Sequence, residues 1–313
     1  MKIHLAPMEG VVDQHMRAIL TEIGGYSACV TEFVRVVDRL HPPSVFYRYC
    51  PELHTGGKTP SGVPVIIQLL GGIPEVVAVN AQRAADLGAP GIDINFGCPS
   101  KFVNRKAGGA VLLKEPERLY NIVNAVRHAV PKHIPVSAKI RLGYEDTLLA
   151  LDNAQAVEDG GADFITVHAR TKKDGYKPPA RWPWLTRIND ALTIPVIANG
   201  DITSREAYQQ CYEMTGCQDI MIGRGAVSCP DLARQIQCPE ILTLTWPQIH
   251  SLLGNMYWRL KQQPDIAAAK ILGRLKQWLS YLRLAHTEAK QAFDEVRILK
   301  DLSALEQWID GHA

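Results

Sequence analysis

An α/β fold is predicted for this chain: a (β/α)8 barrel followed by an all-helical C-terminal segment. Short apolar runs alternate with longer amphipathic stretches from the N-terminus to about residue 240, the pattern of βα units on a parallel sheet. Eight such runs fall within that length, and a barrel of this kind takes ~250 residues. After Pro239 the strand signals stop and helical periodicity continues alone, broken only by Pro247 and Pro264.

The eight expected strands are residues 3–6, 28–31, 65–69, 91–95, 136–140, 164–168, 196–199 and 220–222. Several are unbroken runs of Val, Ile and Leu, as strands covered on both faces require. Helices are expected over residues 75–87, 116–130, 147–159 and 204–215, with Pro116 tolerated in a first turn and Ser204 placed as an N-cap. Three helix-to-strand joints repeat one another at residues 87–94, 160–167 and 215–222, each with a glycine able to end a helix left-handed. An open doubly wound sheet is the rival, but no G-x-G-x-x-G follows the first strand. The domain expectation is a barrel over residues 1–242 and a helical module over residues 243–313.

Composition is that of a globular protein, 46% hydrophobic and 21% charged in 313 residues. The uncharged stretch from Thr59 to Pro74 is broken by Gly62, Pro64, Gln68, Gly71 and Gly72, so it does not supply the ~20 apolar residues of a membrane span. The first ten residues do not read as a secretory signal, and a cytoplasmic location is expected. Seven cysteines without a C-x-x-C pair suggest neither a disulfide framework nor a zinc site. Net charge is +2, but residues 1–242 balance while residues 243–300 carry nine basic against four acidic side chains. That surplus favours a polyanionic partner for the helical segment, against the plainer reading of a solvated face.

Reactive groups of such barrels sit at the C-terminal strand ends. Reading just past each apolar run gives Pro7-Met8-Glu9, Gln68, Asn95 with Cys98, Lys139 with Arg141, His168 with Arg170, Asn199-Gly200-Asp201 and Gly223-Arg224-Gly225. The last two groups suit a phosphate, through close backbone approach, a helix N-terminus and the Arg224 fork. Glycines in plain tight turns are the alternative. Lys139, deep in the barrel, requires a negative partner: an anionic flavin edge, a Schiff-base chemistry or a structural carboxylate. Cys98 between Gly97 and Pro99 faces the cavity as acid, nucleophile or packing residue. Gly108-Gly109 suggests a mobile loop beside it.

The segments LAPMEGVVD, TEF, INFGCPSKFV, GGAVLL, AKIRLG, VHARTKKDGY, VIANGDI and MIGRGA, in this order through residues 3–230, resemble the tRNA-dihydrouridine synthases. N-x-G-C-P-S followed by lysine is the most specific of them. RLKQWLSYLR and TEFVRV look like the bacterial C-type subfamily, which reduces uridine 16 of the tRNA D-loop. The resemblance implies FMN as cofactor, NADPH (or NADH) as reductant and tRNA as partner, with no membrane association and a monomeric state. By position it implies FMN contact at Pro7, Met8, Glu9, Gln68, Lys139, His168, Asn199, Gly200, Asp201, Gly223 and Arg224, and Cys98 as proton donor. It implies tRNA contact at Arg35, Asn95, Tyr176, Arg274, Lys276, Tyr281 and Arg297. Arg105-Lys106-Ala107 departs from the glycine-rich form of related sequences.

For Asn95, base recognition competes with a hydrogen bond that supports the Cys98 turn. Arg35 either meets phosphate or pairs with Glu32 or Asp38. Trp278 is expected in the core of the helical module, between outward charges. A small-molecule flavoenzyme of the dihydropyrimidine or dihydroorotate type is the alternative function, and a noncatalytic RNA-binding barrel is the third.

Overall fold

A computed structural model describes residues 1–105, 108–264 and 266–311. Lys106 and Ala107, part of the departure noted above, lie outside the described residues. Among the described residues nine parallel strands form the sheet: β1 (Ile3–Leu5), β2 (Ala28–Val30), β3 (Val34–Arg35), β4 (Val65–Leu70), β5 (Ile92–Asn95), β6 (Val136–Arg141), β7 (Phe164–His168), β8 (Val196–Asn199) and β9 (Ile220–Ile222). Pairing runs in sequence from β4 to β9, then β9 to β1, β1 to β2 and β2 to β4, so eight of them close a barrel.

β3 is the element that the periodicity did not separate. It continues the second strand along β4, but Val30 pairs with Ile66 and Val34 with Leu69. One residue too many lies between those pairs, so Thr31–Phe33 bulges, and a bulge re-aims side chains. Glu32 and Phe33 consequently reach the barrel mouth.

The strands are short because only their apolar middles are buried on both sides; all six residues of β4 are buried. Gly88, Gly161 and Gly216, in the three repeated joints, all have positive φ, at 89°, 91° and 67°. Helices follow at Pro74–Asp86, Pro116–Ala129, Ala150–Asp159 and Arg205–Thr215. Ser204 accepts the Ala207 N–H at 3.1 Å, the cap its position predicts.

Beyond the barrel come the helices Trp246–Lys261, Ala268–Leu282, Glu288–Arg297 and Leu302–Gly311. Pro247 opens the first of them rather than interrupting it, beside a capping box of Thr245 and Gln248. Buried side chains of these helices, among them Leu253, Leu275, Trp278 and Leu279, belong to one apolar cluster continuous with the barrel's helix-facing core. Among the described residues no helix is long and apolar enough to cross a membrane.

Candidate active site

The C-terminal strand ends converge on a cavity of about 570 Å³, within the range that holds cofactor-sized ligands. Its wall contains Pro7, Met8, Glu9, Gln68, Lys139, His168, Asn199, Gly200, Asp201, Gly223 and Arg224, all eleven positions expected to meet a cofactor. Cys98, Asn95, Tyr176 and Tyr281 line the same space.

Lys139 is half-buried on β6, in the cavity wall, and donates to Asn199 Oδ1 at 3.0 Å. Among the described residues no carboxylate lies within ion-pair distance of it. Burial, then the neighbouring Arg141 guanidinium, push its ammonium down to about 8, against a smaller upward pull from Asp93. A cation so placed calls for an anion from outside the chain.

His168 is held well below its ordinary value by burial and then by the surrounding Arg141, Lys139, Arg170 and Arg224 charges. Its imidazole is therefore neutral. Arg170 Nη1 approaches His168 Nε2 at 3.2 Å, and guanidinium only donates, so Nε2 accepts and the proton sits on Nδ1.

Arg170 also ion-pairs with Asp201, whose carboxylate takes the Ala180 N–H at 2.7 Å and faces Arg224 at 3.6 Å. Asp201 carries φ 57°, a left-handed setting rare outside glycine and stored here by these contacts. Arg224 opens a helix of only five residues, Arg224–Ser228, so its own charge outweighs any dipole that the helix adds.

Cys98 is half-buried. Burial, followed by Glu9, pushes its thiol up, against the Ser100 N–H and Arg141, so it stays protonated at neutral pH. Of the three roles open to it, that state suits an acid best and a thiolate nucleophile least.

A buried chain of hydrogen bonds sets the Cys98 turn. Asn95 Oδ1 accepts the N–H groups of Gly97 and Cys98 at 2.9 and 2.8 Å. Asn95 Nδ2 donates to Gln68 Oε1 at 2.8 Å, Gln68 Nε2 donates to Asp93 Oδ2 at 2.7 Å, and Ser137 donates to Asp93 Oδ1 at 2.7 Å. The supporting role weighed for Asn95 is thus present, and one amide hydrogen remains for other use. Asp93 escaped the sequence reading, although an acid inside the apolar run GIDIN was the available signal. Asp93→Ala strands two buried donors and is expected to cost about 3 kcal/mol of stability, read from denaturant unfolding; an unchanged midpoint would remove Asp93 from this chain.

Two more supports were not assigned from sequence. Arg141 Nε donates to Gly97 O at 2.8 Å and Arg141 Nη1 to Gly175 O at 2.9 Å, tying the Cys98 turn to the loop that carries Tyr176. Asn104 donates to Cys98 O and accepts from Val111 N at 2.6 Å. Gly109, read as part of a mobile loop, packs so closely that a Cβ would lie 3.0 Å from Cys98 O.

The remaining expected contacts lie outside the cavity. The Arg35 guanidinium sits 4.3 Å over the Phe102 ring and forms no ion pair with Glu32 or Asp38 among the described residues. Lys276 donates to Leu299 O at 2.7 Å, Arg297 pairs with Asp294 at 3.0 Å, and Arg274 pairs with Asp13 at 3.0 Å. Trp278 is buried and donates to Val227 O at 3.0 Å, the core position expected of it.

A closed barrel with cationic and amide groups around one cofactor-sized mouth, a protonated thiol among them, defines a barrel enzyme. The chain belongs to the dihydrouridine synthase (Dus) family, which matches residues 4–309. It is 52% identical over 301 residues to the tRNA-dihydrouridine(16) synthase of Pseudomonas syringae pv. tomato, covering 95% of this chain and 94% of the relative. The corresponding synthase of Escherichia coli is 47% identical over 302 residues, covering 96% and 95%. Among solved structures, histamine dehydrogenase from Rhizobium sp. 4-9 superposes with a TM-score of 0.57 at 14% identity, covering 81% of this chain and 48% of that one. An old yellow enzyme homologue from Zymomonas mobilis gives 0.52 at 14% identity, covering 77% and 90%. Both likenesses show the barrel fold alone.

Proposed function

We propose that this chain reduces a uridine of the tRNA D-loop, uridine 16, to dihydrouridine, with FMN as cofactor and NADPH (or NADH) as reductant. The observation that carries the reading is Lys139: a half-buried cation with no carboxylate within ion-pair distance among the described residues, in the wall of a cavity that also holds a protonated thiol. The donor set fits a flavin phosphate, with Arg224 at the β9 end and the Asn199-Gly200 backbone beside it. Gln68, Lys139 and the Nδ1–H of neutral His168 supply donors for the polar edge of the ring.

A flavin held by these residues would supply the hydride for C6 of the uracil ring. Lys139 would stabilise the negative charge of the reduced cofactor. Cys98 gives its proton to C5 on the opposite face, and Arg141 and the Ser100 N–H favour the thiolate left behind until solvent reprotonates it. The base must leave the stack to enter, and the remaining Asn95 amide hydrogen suits its carbonyl edge. Tyr176, 54% exposed at the mouth, offers a ring for stacking.

The proposed division gives the chemistry to residues 1–242 and tRNA docking to residues 243–313, together with Arg35. In the helical segment Arg259, Lys261, Arg274 and Arg297 meet carboxylates, whereas Lys270, Arg283, Lys290 and Lys300 are exposed without one among the described residues. Four phosphate contacts imply about a 50- to 150-fold loss of tRNA affinity between 50 and 200 mM salt. A filter-binding titration that stays flat over that range would remove these cations from the RNA surface. Cytoplasmic location and a monomeric state complete the proposal. Mapping dihydrouridine in tRNA from a strain lacking this gene tests it: position 16 reads as uridine and recovers on complementation, whereas an intact dihydrouridine there overturns the assignment.

A further inference from the structure

The helix Ala268–Leu282 turns one stripe toward the barrel, with Arg274, Trp278 and Tyr281 at i, i+4 and i+7. Tyr281 lines the cavity, and Trp278 donates to Val227 O in the short helix that begins at Arg224. Arg274, only 11% exposed, reaches the loop after β1. Its Nη1 donates to Gly10 O at 2.7 Å, its Nη2 to Val11 O at 2.8 Å, and it pairs with Asp13, the N-cap of Gln14–Ile23. Glu32 accepts the Gly10 N–H from the other side. The segment from Met8 to Asp13 is thereby gripped from both sides, and Met8 and Glu9 within it form cavity wall.

We infer that Arg274 is a positioning residue for the cofactor pocket: it clamps the Met8–Asp13 loop onto the helical module, so that flavin retention depends on that module even without tRNA. This rests on the flavin reading above. A guanidinium spent on two carbonyls, the Asp13 carboxylate and the Gln277 side chain has little left for an RNA phosphate, and its fork reaches four acceptors where an ammonium has three donors.

The test is FMN titration of the apoprotein without tRNA, followed by flavin fluorescence, with hydrogen exchange at residues 8–13 measured in parallel. Arg274→Met is expected to weaken FMN about tenfold and to raise exchange in the loop, with Arg274→Lys restoring only part of the affinity. Asp13→Asn, which keeps the cap acceptor and removes the charge, shifts both readouts in the same direction should Arg274→Met not fold. FMN affinity within twofold of wild type, with only tRNA affinity reduced, overturns the inference and makes Arg274 an RNA contact. If the wild-type chain takes up no FMN the functional reading fails instead, and unchanged exchange at residues 8–13 in Arg274→Met still overturns the clamp.

Discussion

Cys98→Ala is expected to lower dihydrouridine formation by about 10²- to 10⁴-fold, the usual contribution of a positioned acid, while FMN binding and reduction by NADPH stay at wild-type level. The separation follows from where the residue stands. Its thiol lines the cavity, yet the cationic and amide donors proposed for the cofactor come from β4, β6, β7 and the turns after β8 and β9. Its turn is fixed through Asn95 and Arg141, which the substitution leaves in place. Stopped-flow measurement of the two half-reactions decides the matter. Loss of flavin reduction in the variant would place Cys98 in the cofactor site, and full tRNA turnover would dismiss it as the acid.

Lys139→Met is expected to slow flavin reduction by about 10²- to 10³-fold, since it removes the cavity-wall ammonium that would stabilise the charge developing on the cofactor. A pH dependence accompanies it. Burial and Arg141 hold the ammonium at about 8, so its charge is present below that pH and is lost as pH rises through it. An anion bound alongside favours the charged form and moves the apparent value upward. Wild-type flavin reduction should therefore fall on an alkaline limb above pH 8, and Lys139→Met should lack that limb. The groups facing Lys139 are Asp93, Arg141, His168 and Asn199, and neutral His168 contributes no charge change there. An identical alkaline limb in the variant would assign the titration to another group.

Much of this architecture is legible in the sequence because barrel strands covered on both faces leave continuous apolar runs. The rim follows from the same rule, since the residues just past each run are those the fold delivers to one mouth. Gln68, Lys139, His168 and Arg224 were located in this way and meet in one cavity. What could not be read is whatever depends on contact between distant segments. The bulge at Thr31–Phe33 is a mismatch of register against β4, invisible until the partner strand is known. Asp93 owes its importance to Gln68 and Ser137, which come from different strands. Arg274 reads as one more base on a basic helix, and only its neighbours at Gly10, Val11 and Asp13 show it turned inward. For the same reason deletion of the helical tail does not cleanly separate a tRNA enzyme from a small-molecule reductase, because Tyr281 leaves the cavity wall with it.

One pocket is proposed to hold a flavin and an extruded base, with Cys98 handing its proton to the face of the base turned away from the flavin. The most direct measurement is a single turnover: enzyme reduced by NADPH, freed of excess nicotinamide and mixed anaerobically with unmodified tRNA. Flavin reoxidation should keep pace with dihydrouridine appearing at position 16, in equal amounts. Reoxidation that tRNA does not accelerate, or that free uracil accelerates equally well, would contradict it.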